Sequence, residues 1–141
     1  MPKVNFFTED IKYTLKQKAK VRSWIIATIT AEGYQLTELN FILCSDDYLL
    51  RINQDYLQHD DYTDVITFDN SEELKMIVGD IFISIDRIKE NAQQFGADEW
   101  TELCRVIIHG TLHLLGYKDK TKVAKTKMTA KEDFYLNELV L

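Results

Sequence analysis

The chain has 141 residues, 45% hydrophobic and 28% charged, with a formal charge of −6. That length suits one domain around a single core, and one proline with five glycines excludes a fibrous or linker-rich chain. No apolar run approaches the roughly 18 residues that a membrane span needs, and the acidic balance argues against a binder that works by general neutralisation of phosphates.

Thr8 to Ile29 reads as a helix. Thr8 is placed to cap it, Glu9 and Asp10 fall in its first turn, and Ile11, Leu15, Ala19 and Arg22 recur on one face. Glu38 to Cys44 reads as a strand. Ser45 then caps a short helix over Asp46 to Tyr56, with Asp46 and Asp47 at its positive end. His59 to Tyr62 reads as a turn. Asp64 to Phe68 is rich in β-branched and aromatic residues, as a strand requires. Asn70 to Glu73 is a polar turn, and Met76 to Ile85 is a further strand, so the two strands are expected to form a hairpin. Asp86 to Phe95 reads as a helix closed by Gly96. Asp98 caps the next helix, from about Glu99 to Leu115, where Gly116 supplies a left-handed residue. Lys122 to Leu139 gives a last, charged helix. The expectation is a single α+β domain: one mixed sheet of about three to four strands covered by about five helices, with a metal site on a buried helix.

The first ten residues lack a signal peptide's apolar stretch, and Pro2 stands where myristoylation requires glycine. The expected location is cytoplasmic, without membrane association. Cys44 and Cys104 each sit in an apolar run and are expected to be buried, reduced thiols. Lysines cluster at Lys12, Lys16, Lys18 and Lys20, and again from Lys118 and Lys120 through Lys131. Either cluster reads first as a solvated face; the second directly follows the residues that carry the chemistry.

Those residues lie on the helix around Ile107. Leu103, Val106, Ile107, Ile108, Leu112, Leu114 and Leu115 make it apolar nearly all round, so it is expected to be buried. His109 and His113 interrupt it four residues apart, one turn apart on one face, which lets two imidazoles ligate one ion without backbone distortion. Gly110 is expected to admit the close approach of another element, because glycine in a helix interior costs about 1 kcal/mol relative to alanine. Asp119, three residues past Gly116, can fold back as a third ligand. Two His and one Asp leave at least one coordination position open, the mark of a catalytic site. An ion there lowers the pKa of bound water to about 7. The Glu that follows the first His in helical metalloproteases is replaced by Gly110, which disfavours peptide hydrolysis by that route.

The string His109-Gly110-Thr111-Leu112-His113-Leu114-Leu115-Gly116-Tyr117 resembles the signature of the YbeY family of bacterial single-strand-specific endoribonucleases and rRNA maturation factors. Ile52-Asn53-Gln54-Asp55-Tyr56, Thr63-Asp64-Val65-Ile66-Thr67-Phe68 and Gly79-Asp80-Ile81 with Ser84 resemble further family segments, in matching order from about residue 38 to 135. The resemblance implies a zinc ion on His109, His113 and Asp119 and cleavage of single-stranded RNA at the 3′ end of the small-subunit rRNA. It also implies a part in 70S quality control, with small ribosomal subunit proteins as further partners. The family usually has a third His where Asp119 stands, and a carboxylate there makes Mn, Fe or Ni more plausible beside Zn. The family's Arg after Tyr56 is replaced by Leu57; His59 or a C-terminal lysine is the candidate substitute. Asp80 and His59 are the candidate general bases, and Thr63, Asp64, Lys118 and Lys120 the candidate substrate contacts, the alternative for Thr63, Asp64 and Asp80 being purely structural roles. Two other readings stay open: an assembly factor whose metal is structural, and another metal-dependent hydrolase.

Overall fold

The computed structural model describes residues 1–58 and 63–140. The turn expected over His59 to Tyr62, and His59 itself, lie outside the described residues. In chain order the elements are β1 (Lys3–Glu9), α1 (Lys18–Ala31), β2 (Gln35–Cys44), α2 (Asp46–Leu57), β3 (Val65–Asp69), β4 (Met76–Ser84), α3 (Ile85–Phe95), α4 (Glu99–Leu114) and α5 (Lys122–Val140). The four strands form one mixed sheet in the order β1-β2-β4-β3. β1 runs parallel to β2 and β2 parallel to β4, whereas β3 and β4 form the expected antiparallel hairpin.

The caps follow the local chemistry. Ser45 accepts a hydrogen bond from the Tyr48 amide at the start of α2, and Asp98 accepts one from the Thr101 amide at the start of α4. Gly96 and Gly116 take the left-handed conformation after α3 and α4, with φ of 64° and 101°. Both cysteines are free and buried. Burial, with nearby carboxylates, pushes both thiols up to about 12, so neither is a reactive thiolate.

One expected element differs. Thr8 does not cap a helix: Lys3–Glu9 is the edge strand β1, and α1 begins only at Lys18. Val4 is buried, and Phe6 stacks on Phe41 of β2 with ring centroids 5.4 Å apart. The strand is held by its register against Glu38 to Cys44, an interaction that short-range periodicity does not report. Asp10 and Gln17 then take positive φ, which bars a continuous helix between them. Leu15 is still buried, from a loop rather than a helix face.

The sheet has two unlike faces. Leu39, Phe41 and Leu43 of β2 with Ile77, Ile81 and Ile83 of β4 point into the main core beneath α1 and α4. The other face carries a smaller apolar cluster under α2, built on Leu49 and Ile66 with Phe68 and Phe82 against it. Beside that cluster runs a polar ladder: Asn5 donates to Asn40 (2.9 Å), and Asn40 and Asn70 donate to Asp80 (3.0 and 3.2 Å).

α4 lies directly on β4 because of a small residue on each. A Cβ on Gly110 would stand 3.0 Å from Ile81 Cγ2, and one on Gly79 would stand 2.9 Å from Leu114 Cδ1. That close approach seats the helix carrying the two histidines and anchors the site in the core.

Glu32, just past the end of α1, ties three segments together. Tyr117 donates to its Oε1 (2.6 Å), and Lys131 (2.9 Å) and Tyr135 donate to its Oε2. Burial pushes this carboxyl up, but the hydrogen bonds from Tyr117, Tyr135 and Lys131 outweigh it and hold Glu32 below its ordinary 4.5. A depressed carboxylate stabilises the fold above its unfolded value, and that stabilisation is lost as pH falls through the folded value. Glu32→Gln is therefore expected to lower the melting midpoint at neutral pH and to flatten its decline between about pH 5 and 3. Parallel wild-type and variant curves over that range would show that the cluster is not ion-linked.

Candidate metal centre

α4 presents His109 and His113 on one face, one turn apart, at the edge of the core. The chain turns at Gly116 and brings Asp119 back over them. Nε2 of His109 and Nε2 of His113 are 3.1 Å apart, and each lies 3.3 Å from Oδ2 of Asp119. Four ligands held tetrahedrally at about 2.0–2.1 Å from zinc are about 3.3–3.4 Å from one another. The separations of the three donors match that spacing. The residues present therefore fit a small divalent ion, and the site expected from the spacing of His109, His113 and Asp119 is assembled in space.

A fourth residue orients the first ligand. Nδ1 of His109 is 2.7 Å from Oε2 of Glu132 on α5. An ionised carboxylate only accepts, so Nδ1 carries the proton and the Nε2 lone pair of a neutral ring faces Asp119 and His113. Glu132 is buried, and its other oxygen accepts from Arg105 at 2.9 Å, while Arg105 also reaches Asp133 at 2.8 Å. Burial pulls the His109 imidazole down, but the Glu132 hydrogen bond and charge, with Asp119 and Asp64 behind them, leave it above its ordinary 6.5. An ion at the site has to displace a proton that these carboxylates favour, so binding weakens as pH falls.

Sequence reasoning missed Glu132. Its signal was available: Met128, Glu132, Tyr135 and Leu139 form the buried stripe of α5, and one of the four is a glutamate.

The other expected site residues separate. Asp64, at the head of β3, lines a cleft of about 220 Å³ together with His109, Asp119, Glu102, Arg105 and Lys125. Thr63 precedes Asp64 and is half-buried. Lys118 and Lys120 are exposed on either side of Asp119, and Lys125 is the lysine that lines the cleft. Asp80 is placed elsewhere. It alternates with Gly79 and Ile81, which face α4, so its carboxylate lies on the opposite side of the sheet, bonded to Asn40 and Asn70. It is a rung of the polar ladder and has no access to the donor triangle. Leu57 ends α2, exposed, where the resemblance implies an Arg.

Residues 3–140 match the family model described as Endoribonuclease YbeY. This chain belongs to the YbeY family. It is 55% identical over 132 residues to the Endoribonuclease YbeY of Cytophaga hutchinsonii, covering 94% of this chain and 92% of that one. It is 48% identical over 138 residues to that of Amoebophilus asiaticus, covering 96% and 94%. The solution structure of a Thermotoga maritima protein superposes with a TM-score of 0.68 at 28% identity, covering 96% of this chain and 88% of that one. The YbeY assignment and the single α+β domain with one mixed sheet and five helices agree with the expectations drawn from the residues. Among the described residues no helix is long and apolar enough to cross a membrane.

Proposed function

We propose that this YbeY-family chain is a metal-dependent endoribonuclease that cuts single-stranded RNA in ribosomal RNA processing. Its site of action is read as the 3′ end of the small-subunit rRNA, in the cytoplasm, with a part in ribosome quality control and with small-subunit proteins as neighbours. The observation that carries the reading is the triangle of His109, His113 and Asp119 donors, drawn together within reach of one ion. Zinc is the first choice of ion because the family resemblance implies it; Asp119 makes the site harder than three imidazoles would, which keeps manganese, iron and nickel in play.

A bound divalent ion supplies Lewis acidity, making water a better nucleophile near neutral pH and offsetting charge that builds on phosphate oxygen. The chain's own residues do the rest. His109 and His113 hold their lone pairs at one point because α4 is seated on β4 and Glu132 fixes the first ring. Asp119 closes the triangle. Lys125 lines the cleft and would give a phosphate there positive charge to bind, and Lys118 and Lys120, exposed beside Asp119 in the chain, are the proposed contacts for neighbouring phosphates. The cleft volume of about 220 Å³ is smaller than an ordinary ligand pocket of about 300–1,000 Å³. It has room for one phosphodiester of a bound strand.

Purified, nuclease-free protein loaded with one ion at a time is expected to cut a single-stranded RNA and to leave the same sequence intact as a duplex. Chelation should stop the reaction and re-addition restore it. Cleavage that survives complete metal removal, or no cleavage with any of the four ions, would overturn the reading.

A further inference from the structure

Two turns before His109 on the same helix stands a carboxylate used by neither the donor triangle nor the Glu132 bridge. Glu102 lines the cleft with His109, Asp119 and Asp64. Seven residues of α-helix are close to two full turns, so Glu102 and His109 share a face of α4 with about 10 Å between their Cα positions. Side chains on a helix lean toward its N-terminus, so both lean the same way and keep an offset near that of their Cα positions. The cleft of about 220 Å³ that Glu102 shares with His109 and Asp119 is where a phosphate and the attacking water would lie.

The surroundings of Glu102 set it apart from the other acids of the cleft. Asp119 completes the triangle, and Glu132 is committed to His109 and Arg105. Among the described residues no side chain hydrogen-bonds or ion-pairs with the Glu102 carboxylate, since the guanidinium of neighbouring Arg105 is taken by Glu132 and Asp133. The charged groups facing it are Asp64 from the head of β3, Arg105 and His109 on α4, Lys125 and Glu132 on α5, and Asp119 from the turn. Burial raises the proton affinity of Glu102 above its ordinary value; Arg105 opposes this, and Asp64 and Glu132 add to it. Such a carboxylate is a stronger base than an exposed one.

The geometry points to Glu102 as the catalytic proton acceptor of the cleavage reaction, an inference that rests on the nuclease reading above. A water oxygen forms its bond to phosphorus while its proton passes to the Glu102 carboxylate. The bond from phosphorus to the leaving ribose oxygen breaks, and the proton then moves to that oxygen, which leaves as a hydroxyl with Glu102 ionised again. Water is the co-reactant, and nothing is oxidised or reduced. The role parallels that of the glutamate absent next to His109, delivered here from two turns upstream.

The test compares wild type, Glu102→Gln and Glu102→Asp, each loaded with zinc, on single-stranded RNA over about pH 5 to 9. Wild-type kcat is expected to rise with pH on its acidic side. Glu102→Gln should lower kcat by about 10²–10⁴-fold, leave KM within about threefold, and lose that acidic limb. Bound metal should stay at the wild-type stoichiometry. Its melting midpoint at alkaline pH should equal or exceed that of wild type, because ionising a carboxyl of raised pKa in the folded state costs stability. Glu102→Asp should keep the limb at reduced kcat, and it carries the test if the amide variant does not fold. Wild-type kcat in Glu102→Gln, an unchanged acidic limb, or loss of the ion, which would make Glu102 a ligand, overturns the inference while the nuclease reading stands. A metal-loaded wild type that cuts no RNA overturns both.

Discussion

Replacing His113 by alanine is expected to remove the bound ion and RNA cleavage together. Three donors about 3.1–3.3 Å apart make the site, and deleting one leaves an imidazole and a carboxylate that do not hold an ion against solvent at ordinary concentrations. Several kcal/mol of charge stabilisation then disappear. At about 1.4 kcal/mol per tenfold, that is a loss of about 10³-fold or more in rate. His113 sits at the rim with its side chain 27% exposed, and α4 remains anchored through Gly110 against Ile81. Circular dichroism should therefore show a folded protein. Elemental analysis and a single-strand cleavage assay on the same preparation decide the matter. A metal-free variant that cuts RNA at the wild-type rate would separate the triangle from catalysis.

Glu132→Ala is expected to weaken metal binding by about 10–100-fold and to lower stability by about 1–3 kcal/mol. The affinity falls because His109 loses the acceptor that holds its proton on Nδ1. The stability falls because Glu132 is buried and bonds both His109 and Arg105. Asp133, the other partner of Arg105, has a side chain 56% exposed, and its replacement by alanine should change either quantity little. Chelator competition gives the affinity and thermal unfolding the stability. Equal metal affinity in wild type and Glu132→Ala would reduce Glu132 to a packing role.

The family resemblance implies a third imidazole where this chain has Asp119, and the carboxylate takes up the position. Oδ2 of Asp119 is equidistant from the two Nε2 atoms, at 3.3 Å, so the shorter side chain still reaches because the turn at Gly116 brings the backbone close. The added negative charge joins Asp64, Glu102 and Glu132 around one cleft. Glu132, Asp119 and Asp64 raise the proton affinity of His109 against its burial, and Asp64 and Glu132 add to the rise that burial gives Glu102; the acidic cleft makes the positive charge of Lys125 and of a bound ion necessary for a phosphate to enter.

Much of the site was legible because its chemistry is local in sequence. The step from His109 to His113 is one helical turn, and a helix carries that spacing into space unaltered. The caps at Ser45 and Asp98 and the left-handed Gly96 and Gly116 also depend on neighbours within a few residues. The hairpin of β3 and β4 was legible for the same reason: two apolar runs meet across a short polar connection.

What the residues did not disclose depends on contacts between distant segments. β1 is a strand only because Glu38 to Cys44 offers it a parallel partner; by itself Lys3 to Glu9 carries no decisive period, and the helix expected from Thr8 overran its last two residues. Asp80 read as a candidate base because it lies in a family-like string, but strand alternation, combined with which face of β4 meets α4, sends it to the far side of the sheet. Glu132 lies 23 residues beyond the histidine it orients, and Glu102 owes its raised proton affinity first to burial, with Asp64 before β3 and Glu132 on α5 adding to it. The sequence by itself therefore determined the cluster of three donor residues, the helix that bears two of them and the family. Tertiary structure decided which carboxylates stand around the ligands and which do not, because burial, electrostatic coupling and strand-face direction are set by packing and not by spacing along the chain.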